Sequence, residues 1–216
     1  KLSVACQWEP TCGIRCFRKS CVRHPVGGPV SAPICTFFNN KGGIGTTTLV
    51  YHLAWMLSEM GQRVVVADLD PQSNLTAAFF DDQQLEPIWS AKSPASIVAA
   101  LKPLIDGVGG LGEARIHQVT HNLGVIAGDL ALSRFEDELA QQWPRCLDDH
   151  ERAFRVITAF WSVMAEAAQS WKADVVLVDV GPNLGSLNRA VMVASDAVLV
   201  PVGSDMFSLQ GLRNLG

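Results

Sequence analysis

The chain has 216 residues, 48% of them hydrophobic and 18% charged, with a formal net charge of −4. That composition suits one globular α/β domain with a buried sheet, long enough to need neither disulfides nor a structural metal. The acidic balance argues against a surface given over to nucleic-acid contacts, though not against a local basic patch. No apolar run reaches transmembrane length and no apolar leader is present, so a cytoplasmic protein is expected.

Residues 1–32 differ in character from the rest. They hold Cys6, Cys12, Cys16, Cys21 and His24 without any apolar period. The cysteine spacings match no common zinc scheme. A disordered or non-native extension is expected there, translated ahead of a start near Ser31, with a zinc site as the alternative. The first methionine is Met56; the chain reads as a fragment of a longer open reading frame.

From Pro33 strands and helices alternate. Ile34–Phe38 is predicted as a strand. Thr47–Met60 follows as a helix, with Leu49, Leu53, Met56, Leu57 and Met60 at helical spacing and Gly61 as its stop. Arg63–Leu69 is apolar on both faces, as buried parallel strands are. Residues 71–113 are less regular, apart from a helix predicted over Ser96–Ile105. Arg115–Thr120 and Leu123–Ala127 read as short strands. Leu130–Gln142 and His150–Trp171 read as helices separated at Pro144. Val175–Asp179, Gly185–Ala194 and Ala197–Val200 complete the pattern as strand, helix and strand.

Between the first strand and first helix lies Lys41-Gly42-Gly43-Ile44-Gly45-Thr46-Thr47-Thr48. Strand, glycine loop and helix is the order a phosphate-binding loop requires. Glycines let backbone N–H groups converge, and the helix N-terminus adds a positive dipole end. The generic pattern G-x-x-x-x-G-K-[ST] would place a lysine where Thr46 stands. Two further segments end apolar runs in acids: Asp68-Leu69-Asp70-Pro71-Gln72, and Asp179 followed by Val180-Gly181-Pro182.

These three segments, in this order, resemble the ParA/MinD family of ATPases. Its phosphate loop is K-G-G-x-G-K-[ST]-T; Lys41, Gly42, Gly43, Gly45, Thr47 and Thr48 match, and the second lysine is absent. The resemblance covers Pro33 to Gly216. It implies a doubly wound, mostly parallel α/β sheet of the P-loop NTPase fold. It further implies ATP and Mg²⁺ as ligands, a homodimer formed through the nucleotide, non-specific DNA binding, and a ParB-like partner that stimulates hydrolysis.

By the same resemblance Lys41 reaches the partner's phosphates. The loop from Gly42 through Ile44, Gly45, Thr46, Thr47 and Thr48 holds the nucleotide. Thr47, Asp70 and Asp179 serve Mg²⁺. Asp70 orients the attacking water. Pro201 and Val202 begin the loop that brackets the base. Asp68 either supports Mg²⁺ through water or packs as a satisfied buried acid.

Thr46 carries no charge and is too short to replace the lysine. A hydrogen bond to a charged group contributes about 1.5–3 kcal/mol. Its loss should weaken nucleotide binding roughly 10- to 100-fold, and hydrolysis more, because the lysine stabilises charge on the terminal phosphate. A ParA-like partitioning ATPase, impaired at this position, is the expected function. The alternatives are a non-hydrolysing nucleotide-binding module and a MinD-like ATPase working at a membrane.

Overall fold

The computed structural model describes residues 32–90 and 95–202. The expectations for residues 1–31, including the cysteines and His24, and for the loop beyond Val202 lie outside the described residues.

Apolar runs with no polar face form the centre of the sheet, because strands covered on both sides need no alternation. These are β1 (Ile34–Phe37), β2 (Val64–Asp68), β4 (Leu123–Ile126) and β5 (Val175–Asp179). Short β3 (Ile116–Gln118) and β6 (Ala197–Leu199) stand at the edges. The order is β3-β4-β2-β5-β1-β6. Every pairing is parallel except β3 with β4. The doubly wound, mostly parallel sheet expected from the sequence is therefore present.

The helices are α1 (Thr46–Glu59), α2 (Asn74–Phe79), α3 (Asp82–Ile88), α4 (Ile97–Ile105), α5 (Leu132–Arg145), α6 (Glu151–Ile157), α7 (Ala159–Trp171) and α8 (Ser186–Val193). Alternate strand residues divide the core in two. Val65, Ala67, Val176 and Val178 face α4, α5, α7 and α8. Cys35, Phe37, Val64, Val66 and Leu177 face α1, α2 and α3. Helices thus cover both faces of the sheet, which hides its apolar surface from water.

Three local expectations change. The first concerns Pro144, which does not separate two helices. It sits in the last turn of α5, which ends one residue later at Arg145, so the missing N–H forfeits a single bond near the helix end, and a 3₁₀ turn (Cys146–Asp148) follows. The second concerns the segment read as one helix over 150–171, which is divided at Thr158. That residue leaves helical geometry, and its hydroxyl donates back to the Phe154 carbonyl at 2.7 Å. The third is that the irregular stretch after Pro71 contains α2 and α3. A reciprocal capping box of Asp81 and Gln84 starts α3, satisfying two amide donors at once.

Candidate nucleotide site

Register brings the site together. Asp179 at the end of β5 pairs with Phe37 of β1 on one side and Asp68 of β2 on the other. The connections after all three strands therefore leave the sheet side by side, at the edge where open α/β sheets bind ligands. They enclose a cavity of about 730 Å³. The phosphate loop from Lys41 to Thr48 forms one wall; Asn39, Tyr51, Asp70, Gln72, Asn74, Ala78, Val180 and Pro182 complete it.

The glycine loop is shaped by two left-handed residues, Gly43 (φ 79°) and Gly45 (φ 84°). A side chain in this region is strained by its own carbonyl contacts, by roughly 1–2 kcal/mol. Gly45 is the N-cap of α1 and no side chain caps that end. Its carbonyl accepts from Leu49 at 2.9 Å, closing the first helical turn. The amides of Thr46, Thr47 and Thr48 precede that bond and have no intrahelical acceptor. They offer an anion both hydrogen bonds and the positive end of the helix. Asn39 steadies the loop from below. Its Oδ1 accepts from the Lys41 amide at 2.8 Å, and its Nδ2 donates to the Pro201 carbonyl.

The three acids have different environments. Asp179 is 1% exposed, and neither carboxylate oxygen has a hydrogen-bond partner among the described residues. Burial pushes its pKa up to about 7; the Thr47 hydroxyl, which faces it without closing a hydrogen bond, pulls the other way, and the neighbouring Asp68 and Asp70 raise it further. An unpaired buried carboxylate beside a threonine hydroxyl is a donor set suited to a hard divalent cation. Among the described residues no cluster of three or more His, Cys, Asp or Glu side chains could hold a metal alone. Mg²⁺ suits such a site, because it keeps several waters and draws ligands from phosphate oxygens.

Asp70 is 9% exposed and lines the cavity. Its Oδ1 accepts from the Gln72 amide at 3.0 Å, and its carbonyl accepts from Ser73. Asp68 turns away from the cavity. Its Oδ2 accepts from both the amide (2.8 Å) and the hydroxyl (2.7 Å) of Thr76, in the first turn of α2. Burial raises its pKa to about 6 against these bonds. The Thr76 hydroxyl also accepts from the Gly128 amide at 2.8 Å. Asp68 is thus a satisfied buried acid that anchors α2, the second of the two roles open from the sequence.

The turn after β5 is held from two directions. Asn188 of α8, 1% exposed, donates from Nδ2 to the carbonyls of Gly181 and Asn183, each at 2.6 Å. Glu136 of α5 accepts from the amides of Ser186 and Leu187, filling the N-terminus of α8. A Cβ on Gly185 would lie 2.5 Å from the Glu136 carboxylate, which explains a glycine there.

Gly42, Gly43, Ile44, Gly45, Thr46, Thr47, Thr48, Lys41 and Asp70 are therefore brought to one cavity, with Asp179 beneath Thr47. The Pro201 carbonyl accepts from Asn39 and Val202 is exposed; neither is among the described residues that line the cavity. Asn39, Tyr51 and Asn74 join the wall without having been singled out, and Pro182 stood in the sequence only as part of the turn after Asp179. Only Asn39 carried a signal, a polar side chain at the end of an apolar strand next to a glycine loop.

A family model described as an AAA domain matches residues 32–216. The chromosome partitioning protein ParA of Caulobacter vibrioides is 29% identical over 177 residues, covering 82% of this chain and 58% of that protein. Protein IncC of Escherichia coli is 32% identical over 182 residues, covering 82% of this chain and 43% of that protein. The chain thus spans about half the length of these curated relatives. Among solved structures, protein DIP2308 from Corynebacterium diphtheriae superposes with a TM-score of 0.78 at 31% identity, over 85% of this chain and 62% of that one. A putative plasmid partition protein of Borrelia burgdorferi bound to AMPPNP shares the fold, with a TM-score of 0.62 at 20% identity over 86% and 69% of the two chains. Matched by the AAA-domain model through residue 216 and aligned with ParA and IncC over four fifths of its length, the chain belongs to the AAA-domain family and to its ParA-like members.

Proposed function

We propose that this chain is the nucleotide-binding part of a ParA-like partitioning ATPase, taking ATP with Mg²⁺. The observation that carries the reading is the uncapped start of α1 behind left-handed Gly43 and Gly45, above the unpaired Asp179 carboxylate. Anion donors and a cation ligand stand side by side there, as a Mg²⁺-bound polyphosphate requires. Mg²⁺, when bound, neutralises charge on the phosphate oxygens. The amides of Thr46 to Thr48 hold the phosphates, the Thr47 hydroxyl and Asp179 serve the cation, and Asp70 orients water at the terminal phosphate. The chromosome partitioning protein of Caulobacter and the putative plasmid partition protein of Borrelia support DNA partitioning as the process. In the whole protein we expect a nucleotide-bridged homodimer that carries non-specific DNA and answers to a ParB-like partner.

A second reading, a non-hydrolysing nucleotide switch, is favoured by one observation. Lys41 is the one basic residue among those lining the cavity, and Thr46 stands at the lysine position. No helix among the described residues is long and apolar enough to cross a membrane.

The test is calorimetry of Mg²⁺·ATP, with phosphate release, on the full chain and on Thr46→Lys. Roughly 10- to 100-fold tighter binding in the lysine form, with hydrolysis appearing in that form, supports an ATPase impaired at one position. Binding by both forms without hydrolysis by either selects the switch. No binding by either form refutes the nucleotide reading.

A further inference from the structure

The contacts of the 181–188 segment point to one more residue that sets the site. We infer that Asn188 is a positioning residue, which fixes the Gly181–Asn183 turn against Asp70 and the phosphate loop, and thereby lets the site tell a nucleoside triphosphate from a diphosphate. The inference rests on the nucleotide reading above and concerns what that site discriminates.

The turn touches both walls of the cavity. A Cβ on Gly181 would lie 3.1 Å from Asp70 Oδ1, so the backbone of the turn rests on that carboxylate. Pro182 lines the cavity and packs 3.8 Å from where a Gly42 Cβ would stand. Asp70 is the group assigned to water at the terminal phosphate, so the turn borders that end of the ligand. Within the loop, Asn183 Oδ1 accepts from the Gly185 amide at 2.9 Å, a local bond that does not tie the turn to the rest of the fold. No helix or strand includes residues 180–185.

Asn188 supplies what the turn lacks. Its amide has two N–H groups, and they go to two carbonyls of the turn at 2.6 Å each. The Asn188 amide is 1% exposed, and its bond to the Gly181 carbonyl is fully buried while that to Asn183 is partly so, which makes an unmade partner expensive. The helix that carries Asn188 is itself anchored, because Glu136 of α5 accepts from its first amides and the Arg189 guanidinium lies 5.5 Å from the Trp143 ring centroid. The turn is therefore tied to the rest of the fold through α8, and through α8 to α5.

Asn188→Ala removes both donors and leaves the phosphate loop, Thr47 and Asp179 in place. The affinities of Mg²⁺·AMPPNP and Mg²⁺·ADP are measured for the full chain with and without this substitution, in the Thr46 and the Thr46→Lys forms. The expected result is an AMPPNP affinity reduced about tenfold, 1.4 kcal/mol, with ADP changed less than twofold. A merely structural role would move both ligands together. Gly181→Ala, which leaves Asn188 intact and presses on Asp70, should give the same selective loss; it decides the matter where Asn188→Ala does not fold. Equal losses for the two ligands, or no loss, would overturn the inference while leaving the nucleotide reading intact. Absence of binding in every unsubstituted form overturns both.

Discussion

Asp179→Asn should flatten the pH dependence of stability of the ligand-free protein. The carboxylate is buried at 1% exposure with both oxygens unpartnered among the described residues, and its pKa is raised from 3.8 to about 7. A raised value in the folded state means that folding favours the protonated acid. Its contribution is complete below pH 3.8 and is lost as pH rises through about 7. Linkage over that interval gives a loss of roughly 2–3 kcal/mol between pH 5 and pH 8. Asparagine does not titrate, so the variant should not lose this amount. Urea unfolding at a series of pH values, in chelator and without nucleotide, measures it. Asp68, raised to about 6, titrates in both proteins; its repulsion of the Asp179 carboxylate is part of the loss that the variant abolishes. The asparagine amide adds a desolvation penalty of about 1–3 kcal/mol, but that offset is constant with pH. Parallel stability curves for the two proteins would refute the reasoning, because they would mean that Asp179 is hydrated or paired. The same substitution should remove the Mg²⁺ dependence of nucleotide binding.

Thr76→Val removes the hydroxyl that donates to Asp68 and accepts from Gly128. A loss of about 1–3 kcal/mol is expected. It should be larger at pH 8 than at pH 5, because that hydroxyl favours the charged form of Asp68; urea unfolding at both values checks the order. Gly45→Ala meets no atom within 4 Å, so its penalty comes from the backbone at φ 84° alone. It should destabilise the chain by roughly 1–2 kcal/mol and weaken Mg²⁺·ATP binding in calorimetry. Gly45→Asn should recover part of the stability, since asparagine tolerates the left-handed region.

The central sheet was legible because β2 and β5 are runs of Val, Leu and Ala ended by an acid, and β1 is a short, mostly apolar run followed by asparagines. Such runs report burial directly. The helix pair α2 and α3 was not legible, for two different reasons. α2 has six residues and is anchored by a carboxylate eight positions back from Thr76, a contact that no local window contains. α3 did carry a local signal, the Asp81 and Gln84 capping pair. The division at Thr158 was hidden because Val156, Ala159, Phe160 and Val163 keep an unbroken apolar spacing across it. At the site, the loop glycines, Thr47, Asp70 and Asp179 stood out by motif. Asn188 and Glu136 act through tertiary hydrogen bonds across 5 to 51 positions, so their residue types alone said nothing.

Helices α1, α2 and α8 each begin just after a central parallel strand, and each directs a partial positive charge towards the same rim. Two of them are already neutralised from within: Asp68 takes the amide and hydroxyl of Thr76 at the start of α2, and Glu136 takes the first amides of α8. Only α1 begins without a side-chain acceptor among these three. The protein's own carboxylates therefore act as internal competitors that silence two binding positions and leave one. We expect an incoming anion to find a single address on this rim, chosen by where the chain has placed its acids.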